Sequence, residues 1–221
     1  MRSLTFGRFT KIFLGVGALL WTPAHLSAQA CVGSPTLPLQ TAADVSLSFT
    51  DGAAGYGAGV TRQLASPISL SANAETFKVD NVDKNLNRFG FRAAYELPVA
   101  ELSICPTVGV RYSSFGTTLD GTSMNMSQVL VPLGFGMGKR FELEHGIVFI
   151  PSVMGDLLYV RERATTRFRG NGDSLAETAT KVGGTIGATL GFNRLFGRGA
   201  VSFNNIANSD PVVSISFGLV F

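Results

Sequence analysis

Beyond its first 30 residues the chain offers few groups that could do covalent chemistry. It has one histidine there, His145, in the run Glu142-Leu143-Glu144-His145. Hydrolysis needs a nucleophile or an activated water with a base beside it. No G-x-S-x-G, no P-loop and no second histidine accompanies His145, which reads as a solvated turn residue. The string Gly183-Gly184-Thr185-Ile186-Gly187 is followed by no helical pattern, so it is a poor phosphate loop. Cys31 and Cys105 lie in no cluster with metal-ligand spacing. The expectation is a non-enzymatic protein with no catalytic residue, no metal and no cofactor. One feature remains. Arg161, Arg163, Arg167 and Arg169, with Glu162 between, could bind phosphate through paired N–H donors. The plainer reading of such a run is a solvated loop extension.

The basic balance is an illusion of the leader. Arg2, Arg8 and Lys11 account for the whole excess of 18 basic over 15 acidic residues, so residues 31–221 are formally neutral and no case for nucleic-acid binding survives. Those three cations precede the apolar stretch Ile12–Trp21, and Ala28-Gln29-Ala30 is a small-x-small cleavage site. Together they predict a secretory signal over residues 1–30. Export implies an oxidising compartment, where an even cysteine count favours a Cys31–Cys105 disulfide. The rival is acylation of Cys31 as first mature residue. A lipobox would usually have Leu where Ala28 stands, and acylation would leave Cys105 alone.

Residues 31–42 carry Pro35 and Pro38 without a period and read as an extended tail. From Ala43 the dominant period is two, the signature of strands. In the last run Val213, Ile215, Phe217, Leu219 and Phe221 share one face, opposite Ser214, Ser216 and Gly218. The same split recurs over 89–97, 102–112, 129–137 and 182–192. Any antiparallel sandwich alternates, but here the polar rows are Gly, Ser and Thr, and charged residues make up only 15% of the chain. The strands are also long, about 10–14 residues against a usual ~5–6. A tilted strand crossing a bilayer needs ~9–11 residues, and bulky apolar residues alternating with small or polar ones mark a membrane barrel. Ten strands are expected, near 43–50, 53–63, 68–80, 87–97, 102–115, 126–139, 146–162, 176–193, 198–206 and 211–221. Eight is the fallback if the first two form one bent strand or lie outside the wall. Short turns at 64–67, 98–101, 140–145 and 194–197 would share one end with both termini. The longer connections at 81–86, 116–125 and 163–175 would lie at the other.

The final strand, with Phe217, Leu219 and Phe221 at alternate positions, resembles the signal that outer-membrane barrels present to their assembly machinery. With the leader and the strand repeat, residues 43–221 resemble the small outer-membrane β-barrels, the OmpA-like and opacity-type group. That resemblance implies an all-β, closed, up-and-down transmembrane barrel, monomeric, in the cell outer membrane. Its expected contacts are outer-membrane lipid and the assembly machinery. Arginines 161, 163, 167 and 169 would contact lipopolysaccharide. By parity Glu75, Arg92, Glu96, Arg111, Asp156 and Lys181 face the lumen, where mixed signs favour a polar network that braces the wall. The first functional reading is a structural or surface-interaction role, with specificity in the outer loops. The alternatives are a narrow pore for small solutes or ions, and a soluble lipocalin-like barrel with an apolar ligand inside.

Overall fold

The computed structural model describes residues 30–64, 67–80, 84–99, 102–119, 122–168, 171–204 and 210–221. The predicted signal segment, 1–29, lies outside them. Ten strands build the wall: β1 (Thr41–Thr50), β2 (Ala53–Gln63), β3 (Ile68–Val79), β4 (Leu86–Tyr95), β5 (Leu102–Leu119), β6 (Thr122–Gly138), β7 (Ile147–Phe168), β8 (Asn171–Phe192), β9 (Leu195–Asn204) and β10 (Val212–Val220). Leu97–Val99 continues the path of β4 against β5, and Phe141–Glu142 pairs briefly with β7. Each strand is antiparallel to the next, and β10 pairs with β1 from Ala42↔Val220 to Phe49↔Val213. Thr41 and Phe221 exchange both backbone hydrogen bonds, each 2.8 Å. The ring is therefore closed, with the first two predicted strands inside the wall, and the expectation of ten holds over the fallback of eight.

Strand parity sorts the side chains into two surfaces. Outward stand Val45, Leu47, Phe91, Val108, Leu133, Phe135, Val182, Ile215 and Phe217, all exposed. Inward stand Ser48, Ser69, Thr107, Ser113, Asp156 and Thr189, all buried. A soluble protein hides its bulky apolar residues and rarely shows a large contiguous apolar patch. Here that patch encircles the molecule, which excludes the soluble, apolar-ligand barrel. In hydrocarbon each backbone N–H and C=O must find an internal partner, and a ring of strands with no free edge provides one. From Leu102 to Tyr112 is ten steps along the strand; at ~3.3 Å each and a tilt of ~40° they span roughly 25 Å, the height of a barrel's apolar band.

The wall is uneven in height. β1–β4, β9 and β10 are short, whereas β5–β8 run 17 to 22 residues. The connections expected as loops at 116–125 and 163–175 are thus mostly strand, paired in register from Leu119↔Thr122 and from Asn171↔Phe168 downward. Above the apolar band nothing requires one face to be oily, so hydrophobic alternation fades there while the backbone ladder continues.

Candidate functional site

The strongest assembly of side chains lies inside the ring, in a cavity of about 350 Å³. Three acids and three arginines line it: Asp44, Glu75 and Asp156, with Arg92, Arg111 and Arg198. Arg92 on β4 donates from Nη2 to Asp156 Oδ2 of β7 at 3.1 Å, and its Nη1 reaches the Met154 sulfur. This bridge crosses the lumen between strands that are not neighbours in the sheet. On the adjoining strand Glu75 accepts from Arg88 at 3.4 Å, and the Arg88 guanidinium lies 4.8 Å from the centre of the inward Phe77 ring. Arg111 and Arg198 have no ion-pair partner among the described residues. Arg198 Nε and Asp156 Oδ1 are buried without a hydrogen-bond partner among the described residues.

The structure thus gathers four of the six lumen residues expected from parity: Glu75, Arg92, Arg111 and Asp156 around one cavity. Glu96 lies apart, near the end that carries the termini, buried and accepting from Ser103 Oγ at 2.5 Å. Lys181 has lumen parity on β8, opposite Leu158, and does not line the cavity. Asp44, Arg88 and Arg198 belong to the network without having been expected. Arg88 shares the parity of Arg92 on β4, while Asp44 and Arg198 lie opposite the apolar rows Val45-Leu47-Phe49 and Val201-Phe203, so applying the same alternation to β1 and β9 would have found them.

The N-terminal segment closes one mouth of the ring. Ala30–Val32 forms a 3-10 turn inside the wall, and Cys31 is bonded to Cys105, a lumen position of β5. Both cysteines are fully buried. Cys31 therefore stands inside the ring as a disulfide, and in this state it has no thiol to carry an acyl chain. Two glycines of β6 make room for the segment. A Cβ at Gly136 would stand 2.5 Å from the Cys31 carbonyl oxygen, and one at Gly138 would collide with that of Ala30. Further along, Thr189 Oγ1 donates to the Gly33 carbonyl at 2.8 Å, and Arg140 Nη1 reaches the Pro35 carbonyl at 3.5 Å. Gly33 turns the chain at φ 68°, a region natural to glycine. Val32, Gly33, Ser34 and Pro35 form the floor of the cavity.

Elsewhere, His145 is exposed in the turn Glu144–Gly146, at the end that carries the short turns, and does not line the cavity. Phe217, Leu219 and Phe221 all face outward on the final strand and are exposed. Arg161, expected at the end of the seventh strand, and Arg163, expected at the start of the loop 163–175, both lie on β7 and face outward. Arg167 pairs with Ser123 and Gly172 through the backbone register; Arg169 lies outside the described residues.

No family model matches the sequence, and no curated protein sequence matches it. Among solved structures the fold is similar to the translocator domain of the autotransporter NalP from Neisseria meningitidis. That likeness has a TM-score of 0.52 at 11% identity, over 97% of this chain and 94% of that one. The outer membrane protease OmpT from Escherichia coli gives 0.48 at 9% identity, over 83% and 93%. Ail, the attachment invasion locus protein of Yersinia pestis, gives 0.43 at 11%, over 82% and 98%. At such identities the likeness is one of fold. Ten antiparallel strands closed on themselves, oily outside and polar within, give this chain the fold of the small outer-membrane β-barrels.

Proposed function

We propose that the chain is an integral outer-membrane protein with a non-enzymatic, surface-interaction role. Its termini and short turns would face the periplasm, and its tall β5–β8 side would stand outside the cell. The observation that carries this reading is the uneven wall. Four strands continue well past the apolar band as a paired sheet, a rigid platform that the bilayer crossing itself does not need. The lumen supports the same reading. Equal numbers of acids and arginines line it, and the disulfide-held segment crosses the periplasmic mouth, so it serves bracing better than passage. The exposed row Phe217, Leu219 and Phe221 suits recognition by the barrel-assembly machinery.

The competing reading is a narrow pore through the same lumen. Purified protein reconstituted in planar bilayers is expected to give no conductance steps. Discrete steps that persist in the oxidised, folded protein would overturn the closed-lumen reading in favour of the pore.

A further inference from the structure

Charge pairing inside the lumen leaves a remainder. Arg92 takes Asp156, and Glu75 takes Arg88. Arg111 and Arg198 stay without an ion-pair partner among the described residues, and Asp44, the third acid of the cavity, is likewise unpaired there. Arginine keeps its proton at any ordinary pH, so neither guanidinium can shed its charge to suit a confined space. Two cations and one anion are thus left over, and a desolvated charge is costly without a partner.

The two arginines enter the cavity from well-separated parts of the ring, Arg111 from β5 and Arg198 from β9. The wall between them is kept low. Asp44, Asn73 and Arg111 share one transverse row, with Gly59 and Gly90 at the places between them. A Cβ at Gly59 would stand 2.9 Å from Asp44 Oδ1, and one at Gly90 would collide with Asn73 Oδ1. Both polar side chains lean over a glycine of the neighbouring strand and leave the middle of the lumen open. Arg198 lies against the floor, where a Cβ at Gly33 would stand 3.3 Å from its Cζ. The other flank of Arg111 is apolar. Leu130 is its register partner on β6, and Leu130, Pro132 and Leu158 line the cavity. Leu130 and Leu158 pack with Val160 in a buried cluster, an exception to the Gly, Ser and Thr that fill most inward rows.

We infer that the cavity binds a small organic monocarboxylate. Its carboxylate is held between Arg111 and Arg198, and its apolar body lies against Leu130, Pro132 and Leu158. A guanidinium fork matches the two oxygens of a carboxylate. One such charge neutralises the set Arg111, Arg198 and Asp44, whereas a dianion leaves an excess. About 350 Å³ is at the small end of ligand sites, which selects a compact molecule over a long chain. Val32–Pro35 closes the floor, so the ligand comes and goes by the opposite end. The barrel captures this solute without passing it, a role beyond the surface interaction proposed above and independent of which end faces out of the cell.

Isothermal titration calorimetry of the detergent-purified protein at constant ionic strength tests it, with benzoate, benzamide, acetate and inorganic phosphate as separate ligands. Benzoate should bind about tenfold more tightly than benzamide, its uncharged match in shape, and than acetate, which lacks the apolar body. Arg111→Met and Arg198→Met should each weaken benzoate about tenfold while keeping the far-ultraviolet spectrum of a β-barrel. No benzoate binding at millimolar concentration, equal binding of benzamide, or unchanged benzoate affinity in both variants would overturn the inference. Acetate or phosphate bound as tightly as benzoate would overturn its organic part. The comparison of benzoate with benzamide uses wild-type protein alone, so it decides the matter even where a variant does not fold. Calorimetry reads neither conductance nor orientation, so a pore or an inverted barrel would show only in planar bilayers or in surface labelling of whole cells.

Discussion

At the scale of single residues, the lumen network behaves as a set of mutually dependent charges. Asp156 is 8% exposed and, among the described residues, takes its ion pair from Arg92. Removing the guanidinium leaves a carboxylate in a confined space without its partner, which costs more than the pair itself contributes. Arg92→Met should therefore destabilise the barrel by about 3 kcal/mol, and adding Asp156→Leu should recover much of the loss. The midpoint of unfolding in urea, measured for wild type, Arg92→Met, Asp156→Leu and the double variant, reads this directly. A double variant weaker than Arg92→Met by the full cost of Asp156→Leu alone would show that the residues act independently.

At the scale of elements, the N-terminal segment depends on its one covalent tie. The disulfide closes a separation of 74 residues that contains all of β1–β4. In the chain-entropy account a loop of that length restricts the unfolded chain by about 4 kcal/mol. Cys31→Ser/Cys105→Ser should still give a heat-modifiable barrel, with a urea midpoint lowered by a corresponding amount. Proteolysis near Pro35 should also rise, since only non-covalent contacts, among them the hydrogen bonds from Thr189 and Arg140, then hold the segment. The strands crossing the apolar band were legible in the sequence, because oil on one side and a confined polar lumen on the other force every second residue to differ. Their continuations in β5–β8 were not, since water on both faces imposes no period on Ser, Thr, Asn and Met. The seat of the segment was equally unreadable. Gly136 and Gly138 look like any other strand glycines until a second backbone is laid against them. Cysteine parity did point to the disulfide, because pairing needs only a count and a compartment.

At the scale of the whole molecule, stability follows from the solvent on each side of the wall. Leu133 lies near mid-height on the outer surface, between Val108 and Leu157 in the register, and is 50% exposed. Leu133→Arg places a cation in hydrocarbon and should cost ~2–4 kcal/mol, falling toward zero for the same change at the band's margins. Unfolding midpoints in lipid vesicles would show that depth dependence; a flat profile would mean that the outer surface does not face acyl chains. The ring itself sets a further condition. Thr41, where the wall begins, finds its backbone partner in Phe221, the last residue of the chain. A nascent polypeptide still lacking its final strand therefore carries two raw borders, each a template for illicit pairing. Transit between synthesis and insertion must keep both covered, and no truncated product can seal the circle.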